Sequence, residues 1–160
     1  MEKTKVYTDG CCLKNPAGPG GYGMVIIRNG CAEEYSCGFR KTTNNRMELM
    51  AFLDALMETP EEEEIEFISD SKYAIGVLGG TMVAQKNRDL VSRIKELLRN
   101  RKCSFTWVKG HSGNRYNELC DAMAFSAANG NRLFKDSGYE DEDEAEEEYE
   151  NYLERMYAPL

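Results

Sequence analysis

Apolar side chains recur at Leu49, Phe52, Leu53 and Leu56, the i, i+3, i+4, i+7 spacing that lays one stripe along a helix. Thr42, Thr43, Asn44 and Asn45 stand just before it and supply capping oxygens, and no proline follows until Pro60. Upstream the period changes. Residues 3–9 alternate and run into Asp9-Gly10, the pattern of a strand entering a turn. Residues 23–28 and 32–39 read as two more strands, joined at Asn29-Gly30, the strongest short hairpin signal. Residues 65–70 and 103–108 are further strands, and 72–78, 89–99 and 115–128 are helices. Gly79-Gly80 and Asn129-Gly130 supply two of the helix stops. The order β-β-β-α-β-α-α-β-α predicts one α/β domain. Its mixed five-stranded sheet, three antiparallel strands then two parallel, is flanked by helices.

Two stretches break the pattern. Residues 15–23 are so rich in Gly and Pro that they read as a loop. Such a loop can cradle phosphate on bare amides, but without Gly-Lys-Ser/Thr it reads rather as a tight connection. Beyond residue 135 the chain turns acidic. Residues 136–160 hold eleven acids and one base, Arg155, whereas residues 1–135 hold 17 acids and 19 bases. The overall charge of −8 therefore hides a body of about +2, open to nucleic acid, and a tail of −10. Residues 1–138 are expected to form the working domain and 139–160 a solvated tail. Tyr149, Tyr152, Leu153 and Met156 fall at helical spacing, so that tail is expected to end in a short amphipathic helix over 146–157. It would dock on the body or on a protein partner.

Six cysteines with no Cys-x-x-Cys pair, and a single histidine not spaced with them, exclude a zinc finger. An even count allows three disulfides, but 160 residues need no such staples, and reduced thiols in a cytoplasmic protein are expected. No apolar run approaches the ~20 residues of a membrane span, and the first residues do not resemble a signal peptide.

Four acids then stand out. Asp9 and Asp70 each close a predicted strand, the edge where α/β sheets build sites. Glu48 borders the apolar stripe, where a carboxylate is costly unless a cation neutralises it. Asp121 shares a helix face with Glu118. Each alone has a structural account as a turn, dipole, strand-end or surface residue. Converging from separate elements with no Cys-His set, they specify oxygen-loving cations such as Mg²⁺ or Mn²⁺.

Thr8-Asp9-Gly10, Gly20-Gly21-Tyr22-Gly23, Thr42 to Leu49, Asp70-Ser71-Lys72-Tyr73, Trp107 to His111 and Asn117 to Asp121 resemble, in order, type 1 ribonuclease H. The resemblance runs from residue 4 to about 139 and implies a ribonuclease H-like fold. It further implies an endonuclease that hydrolyses the RNA strand of RNA–DNA hybrids with two Mg²⁺ ions, for which Mn²⁺ would substitute, leaving 5′-phosphate and 3′-hydroxyl ends. Asp9, Glu48, Asp70 and Asp121 match the metal carboxylates, with Asp9 and Asp70 shared by both ions. His111 matches a mobile histidine that assists protonation or product departure. Asn15, Asn44 and Asn45 match contacts to the hybrid backbone, and Cys12, Asn15 and Glu48 lie where the 2′-hydroxyl is read. Thr43 matches a pocket for a DNA-strand phosphate.

Three departures follow. Ala17 is an extra residue in the first loop, and Lys72 replaces a glutamine found in some members. The basic, tryptophan-containing handle of well-known bacterial members is missing, as in the handle-less branch; residues 79–88 replace it with only two bases. The enzyme is expected to act as a monomer, with no membrane involved. The rivals are a non-catalytic hybrid-binding or protein-interaction module on the same fold and another nuclease or integrase of the wider superfamily. The first would tolerate loss of a site acid, and none is lost; the second would lack the Asn44-Asn45-Arg46 and Trp107–His111 blocks.

Overall fold

The computed structural model describes residues 3–14 and 17–157, without the side chains of 143–148 and 157. Its elements are β1 (Thr4–Cys12), β2 (Gly18–Arg28), β3 (Cys31–Thr42), α1 (Asn44–Glu58), β4 (Ile65–Ser69), α2 (Lys72–Gly79), α3 (Arg88–Leu98), β5 (Cys103–Trp107), α4 (Arg115–Ala128), β6 (Leu133–Phe134) and α5 (Ser137–Tyr157). The sheet order is β5-β4-β1-β2-β3-β6. Pairings β1–β2 and β2–β3 are antiparallel, and β1–β4, β4–β5 and β3–β6 are parallel. No helix among the described residues is long and apolar enough to cross a membrane.

The hairpin forms as its residues require. Asn29 (φ 52°) and Gly30 (φ 78°) both take the left-handed conformation, and Arg28 pairs with Cys31 across them. Such a pair of central residues matches the right-handed twist of the flanking strands.

The expected five strands are six. β6 is two residues long and carries no alternation to read. It pairs with Gly38 and Phe39 at the edge of β3. Gly38 makes this possible, since a Cβ there would stand 2.8 Å from the Leu133 side chain and 2.3 Å from the Ala127 carbonyl.

The glycine-rich stretch expected to be a loop is largely strand, because β2 starts at Gly18. Its glycines answer a packing demand. Even-numbered residues, Tyr22, Met24 and Ile26, face the core shared with α1. Odd-numbered Gly21 and Gly23 face α4, where a Cβ would lie 2.6 Å from the Ala124 carbonyl and 2.4 Å from that of Cys120. α4 thus rests on bare backbone. On the other face α1 packs with α2 and α3 over Val6, Phe52, Ile65 and Phe67. Phe52 and Phe67 meet with ring centroids 4.8 Å apart, and Phe67 stacks on Phe105 at 5.6 Å.

One cation ties distant parts of the chain together. Arg46, in the first turn of α1, is 2% exposed. Its Nη1 and Nη2 donate to the two Asp89 oxygens at 2.9 and 2.8 Å, and Nε and Nη2 donate to Asp136 at 2.7 and 3.0 Å. Thr42 donates to the same Asp136 at 2.7 Å, and Asn87 accepts a longer bond from Arg46 Nη1. Burial alone would lower the guanidinium's pKa, but these two carboxylates outweigh it and raise it, while Asp89 is held low by its hydrogen bonds from Arg46. The start of α1, the start of α3 and the root of α5 therefore meet at one group.

The acidic segment expected to be a solvated tail with a short terminal helix is one helix from Ser137. The division expected after residue 138 falls in its first turn, and Glu140 beyond it is buried, accepting from Arg40 Nε at 3.0 and 3.1 Å. Glu140, the acid in the first turn of α5, favours helix through its dipole.

Arg46→Ala should cost about 3–5 kcal/mol in urea denaturation, because removing one partner of a buried ion pair strands the other. A loss below about 1 kcal/mol would show that water already satisfies Asp136.

Candidate active site

Strand register builds the first half of the site. The parallel β1–β4 ladder ends at Thr8 opposite Ser69, so Asp9 and Asp70 are the next residues on neighbouring strands. β1 itself runs on to Cys12, three residues beyond the end expected at Asp9, held by β2 alone. The second half comes from α1. Thr43 caps it, its hydroxyl accepting from Arg46 N at 3.2 Å. The first turns then press on β1 at Gly10, where a Cβ would lie 2.5 Å from Glu48 N. Only glycine admits that approach, and the approach brings Glu48 to Asp9.

Oxygens of Asp9, Glu48 and Asp70 all lie within 4.8 Å of one another. Asp9 and Glu48 are each 5% exposed. Gly10 N donates to Asp9 Oδ1 at 2.9 Å, but no cation of the described chain enters the cluster. Burial first, then the Asp70 charge, pushes Asp9 up to about 8 despite the Gly10 amide. Burial first, then the charges of Asp9 and Asp70, raise Glu48 well above its ordinary value. Cys11, half-buried beside them, is pushed up to about 11 by burial and by Asp9 and Asp121.

Asp121 joins from α4, half-buried and near enough to act on Asp9 and Cys11, but outside the tight trio. The bare seat of α4 at Gly23 fixes its height, since Cys120 is the residue whose carbonyl lies on that glycine. His111 is exposed and left-handed (φ 56°), between Gly110 and Gly113, and does not enter the cluster.

The remaining predicted residues surround these groups. Cys12 is half-buried at the end of β1, its thiol 3.5 Å from the Thr42 carbonyl. Asn44 is half-buried and Asn45 exposed in the first turn of α1. Lys72 is exposed at the start of α2, its Nζ 4.8 Å above the centre of the Trp107 ring. Asn15 lies outside the described residues.

Sequence reasoning gave no role to three residues that hold the acids in place. Trp107 Nε1 donates to the Asp70 carbonyl at 3.0 Å. A Cβ on Gly110 would lie 2.8 Å from Asp70 Oδ2, so this glycine lets the loop close on that carboxylate. Gly10 does the same for Glu48. The available signal was their place beside the acids, which spacing alone does not convert into a contact.

The donor set fits hard divalent cations. Three crowded carboxylates offer only oxygen, and Glu48 Oε2 is buried with no hydrogen-bond partner. An orphaned buried carboxylate oxygen is costly, and a cation is the group that satisfies it.

A family model, RNase H, matches residues 1–129. A ribonuclease H of Pseudoalteromonas atlantica is 40% identical over 88% of this chain and 99% of its own length. One of Psychromonas ingrahamii is 41% identical over the same shares. Among solved structures, RNase H1 of the archaeon Halobacterium salinarum superposes with a TM-score of 0.69 at 27% identity, covering 80% of this chain and 98% of that one. LC11-RNase H1, solved in complex with an RNA/DNA hybrid, gives 0.68 at 23%, covering 79% and 97%.

The crowded acids set a pH dependence. Folded Asp9 keeps its proton up to about 8, whereas the unfolded chain releases it near the ordinary carboxylate value of about 4. Between those values the folded state binds more protons, so stability falls as pH rises through the window. In EDTA, Asp9→Asn should raise the melting temperature by about 2–8 °C at pH 8 and by much less at pH 5. Parallel curves for the two proteins would refute the crowding.

Proposed function

Because the chain belongs to the RNase H family and is a ribonuclease H, we propose that it cuts the RNA strand of RNA–DNA hybrids by two-metal-ion hydrolysis, leaving 5′-phosphate and 3′-hydroxyl ends. The observation that carries this reading is the buried trio Asp9, Glu48 and Asp70, with the unpartnered oxygen on Glu48. The family uses divalent metal ions; here Asp9 and Asp70 would hold both, helped by Glu48 and Asp121. Mg²⁺, or Mn²⁺ in its place, supplies Lewis acidity when bound, making water a nucleophile and neutralising charge at the leaving 3′ oxygen.

The chain's own residues orient and exclude. The Gly10 amide aims Asp9, and Trp107 with Gly110 fixes Asp70, so the carboxylates do not reorganise during reaction. Thr43 offers a hydroxyl and the start of a helix to a DNA-strand phosphate, which the helix dipole favours. Asn44 and Asn45, one turn before Glu48, meet the hybrid backbone in its minor groove, and Asn15 is assigned the same role. Cys12 and Glu48 flank the 2′-hydroxyl, the group that separates an RNA strand from DNA. Lys72, steadied over Trp107, meets a phosphate near Asp70. His111, exposed on a loop between glycines, carries a proton or eases product departure. A hybrid also occupies LC11-RNase H1, which has the same fold. All the assigned groups come from one chain and lie within residues 1–138, so a monomer suffices.

Cleavage of a labelled hybrid, with duplex RNA and duplex DNA as controls, tests the reading. Asp9→Asn and Asp70→Asn should each abolish cleavage in Mg²⁺, by about 10³-fold or more, with the fold intact. Near wild-type turnover in either would sink the two-metal assignment. His111→Ala should slow turnover by about 10–100-fold without abolishing it.

Backbone affinity comes from counterion release, so hybrid KM should rise from low to physiological salt. A flat salt profile would point to contacts of another kind.

A further inference from the structure

The second half of α5 carries an apolar face that nothing among the described residues covers. Tyr149, Tyr152 and Met156 are 62%, 54% and 61% exposed. With Leu153, itself half-buried, they fall at i, i+3, i+4 and i+7, the stripe by which a helix packs into a groove. The root of the same helix is held firmly. Asp136 sits in the Arg46 network, Glu140 takes Arg40, and Asp141 meets Lys135 at 2.6 Å. α5 packs on the body chiefly through β3. Along a straight helix the stripe lies about 21 Å beyond Gly138. An unbroken helix rooted there carries its stripe away from the groove beside its own first turn, which Met50, Leu53, Met57 and Leu90 line.

Charge decides the occupant. Residues 137–157 hold ten acids and one base. Two copies of this helix, each at −9 in a chain of −8, repel, and so do nucleic acid and anionic lipid. We propose that α5 is a docking helix for a protein partner whose binding surface is an apolar groove rimmed with Lys and Arg. Such a rim would relieve like-charge pairs one turn apart, Glu150 and Glu154 among them, while the groove buried the stripe. Opposite charge would also speed encounter. The same contact would leave the carboxylate site facing its substrate, since the stripe shares no residue with it.

A model partner tests this on the full chain. The probe is a fluorescent amphipathic peptide of Leu and Lys, about 18 residues long, long enough to form a helix on binding. A scrambled peptide of identical composition is the control. The amphipathic peptide should bind about ten-fold or more tighter than the scrambled one. Tyr152→Glu with Met156→Glu should erase that difference while hybrid cleavage and melting temperature stay unchanged. Equal affinity for both peptides would reduce α5 to a solvated polyanion and overturn the proposal. So would self-association in sedimentation that the double substitution abolishes, or a lowered melting temperature in the double variant, which would make the stripe part of the body. Cleavage measured in parallel separates failure of the docking surface from failure of the hydrolase reading.

Discussion

A buried guanidinium must be fully bonded, and satisfying Arg46 organises this molecule. It has one cationic head and five N–H donors, and the fold delivers carboxylates from two distant places, Asp89 and Asp136, to receive them. Those bonds set where α1 begins, where α3 begins and where α5 leaves the body. Glu48 is two residues further along α1. Its position against Asp9 therefore inherits its precision from a cation that touches neither acid.

The two charged residues of that turn were treated in opposite ways. Arg46 was given every partner it can use, whereas Glu48 was buried beside two more acids with an oxygen unbonded. The first arrangement makes a firm scaffold, and the second keeps unfavourable charge in place at its edge. A site that gathers like charge needs rigid surroundings, because any slack would let the carboxylates separate. The Gly10 contact beneath Glu48 and the Gly110 contact beside Asp70 close off that slack with backbone, which does not yield as a long side chain would.

Much of this could be read from residues in order. Asn29-Gly30 announced its hairpin, because a turn that needs two left-handed residues has few solutions. The stripe Leu49, Phe52 and Leu56 announced α1 and its buried face. The acids announced themselves by motif, and register explains why Asp9 and Asp70 meet. What escaped depends on partners far along the chain. Gly21 and Gly23 look like loop residues until α4, a hundred residues later, is seen to need their missing Cβ atoms. Asp136 falls within the expected domain, but only the Arg46 geometry shows that it is bonded in the core. Local pattern reports period and turn chemistry; it does not report which distant backbone will press against a given residue.

The glycine seat of α4 bears on how this protein tolerates change. Spacing between a helix and a sheet is ordinarily set by the volumes of the side chains between them, so repacking a core shifts the helix. Here backbone meets backbone at Gly21, Gly23 and Gly38, and the spacing is independent of those volumes. Substitutions among Phe52, Phe67 and Phe105 on the opposite face can alter the core without changing the height at which Asp121 approaches Asp9. The seat insulates the site from drift in the core. It concentrates intolerance in three small residues that have no chemistry of their own.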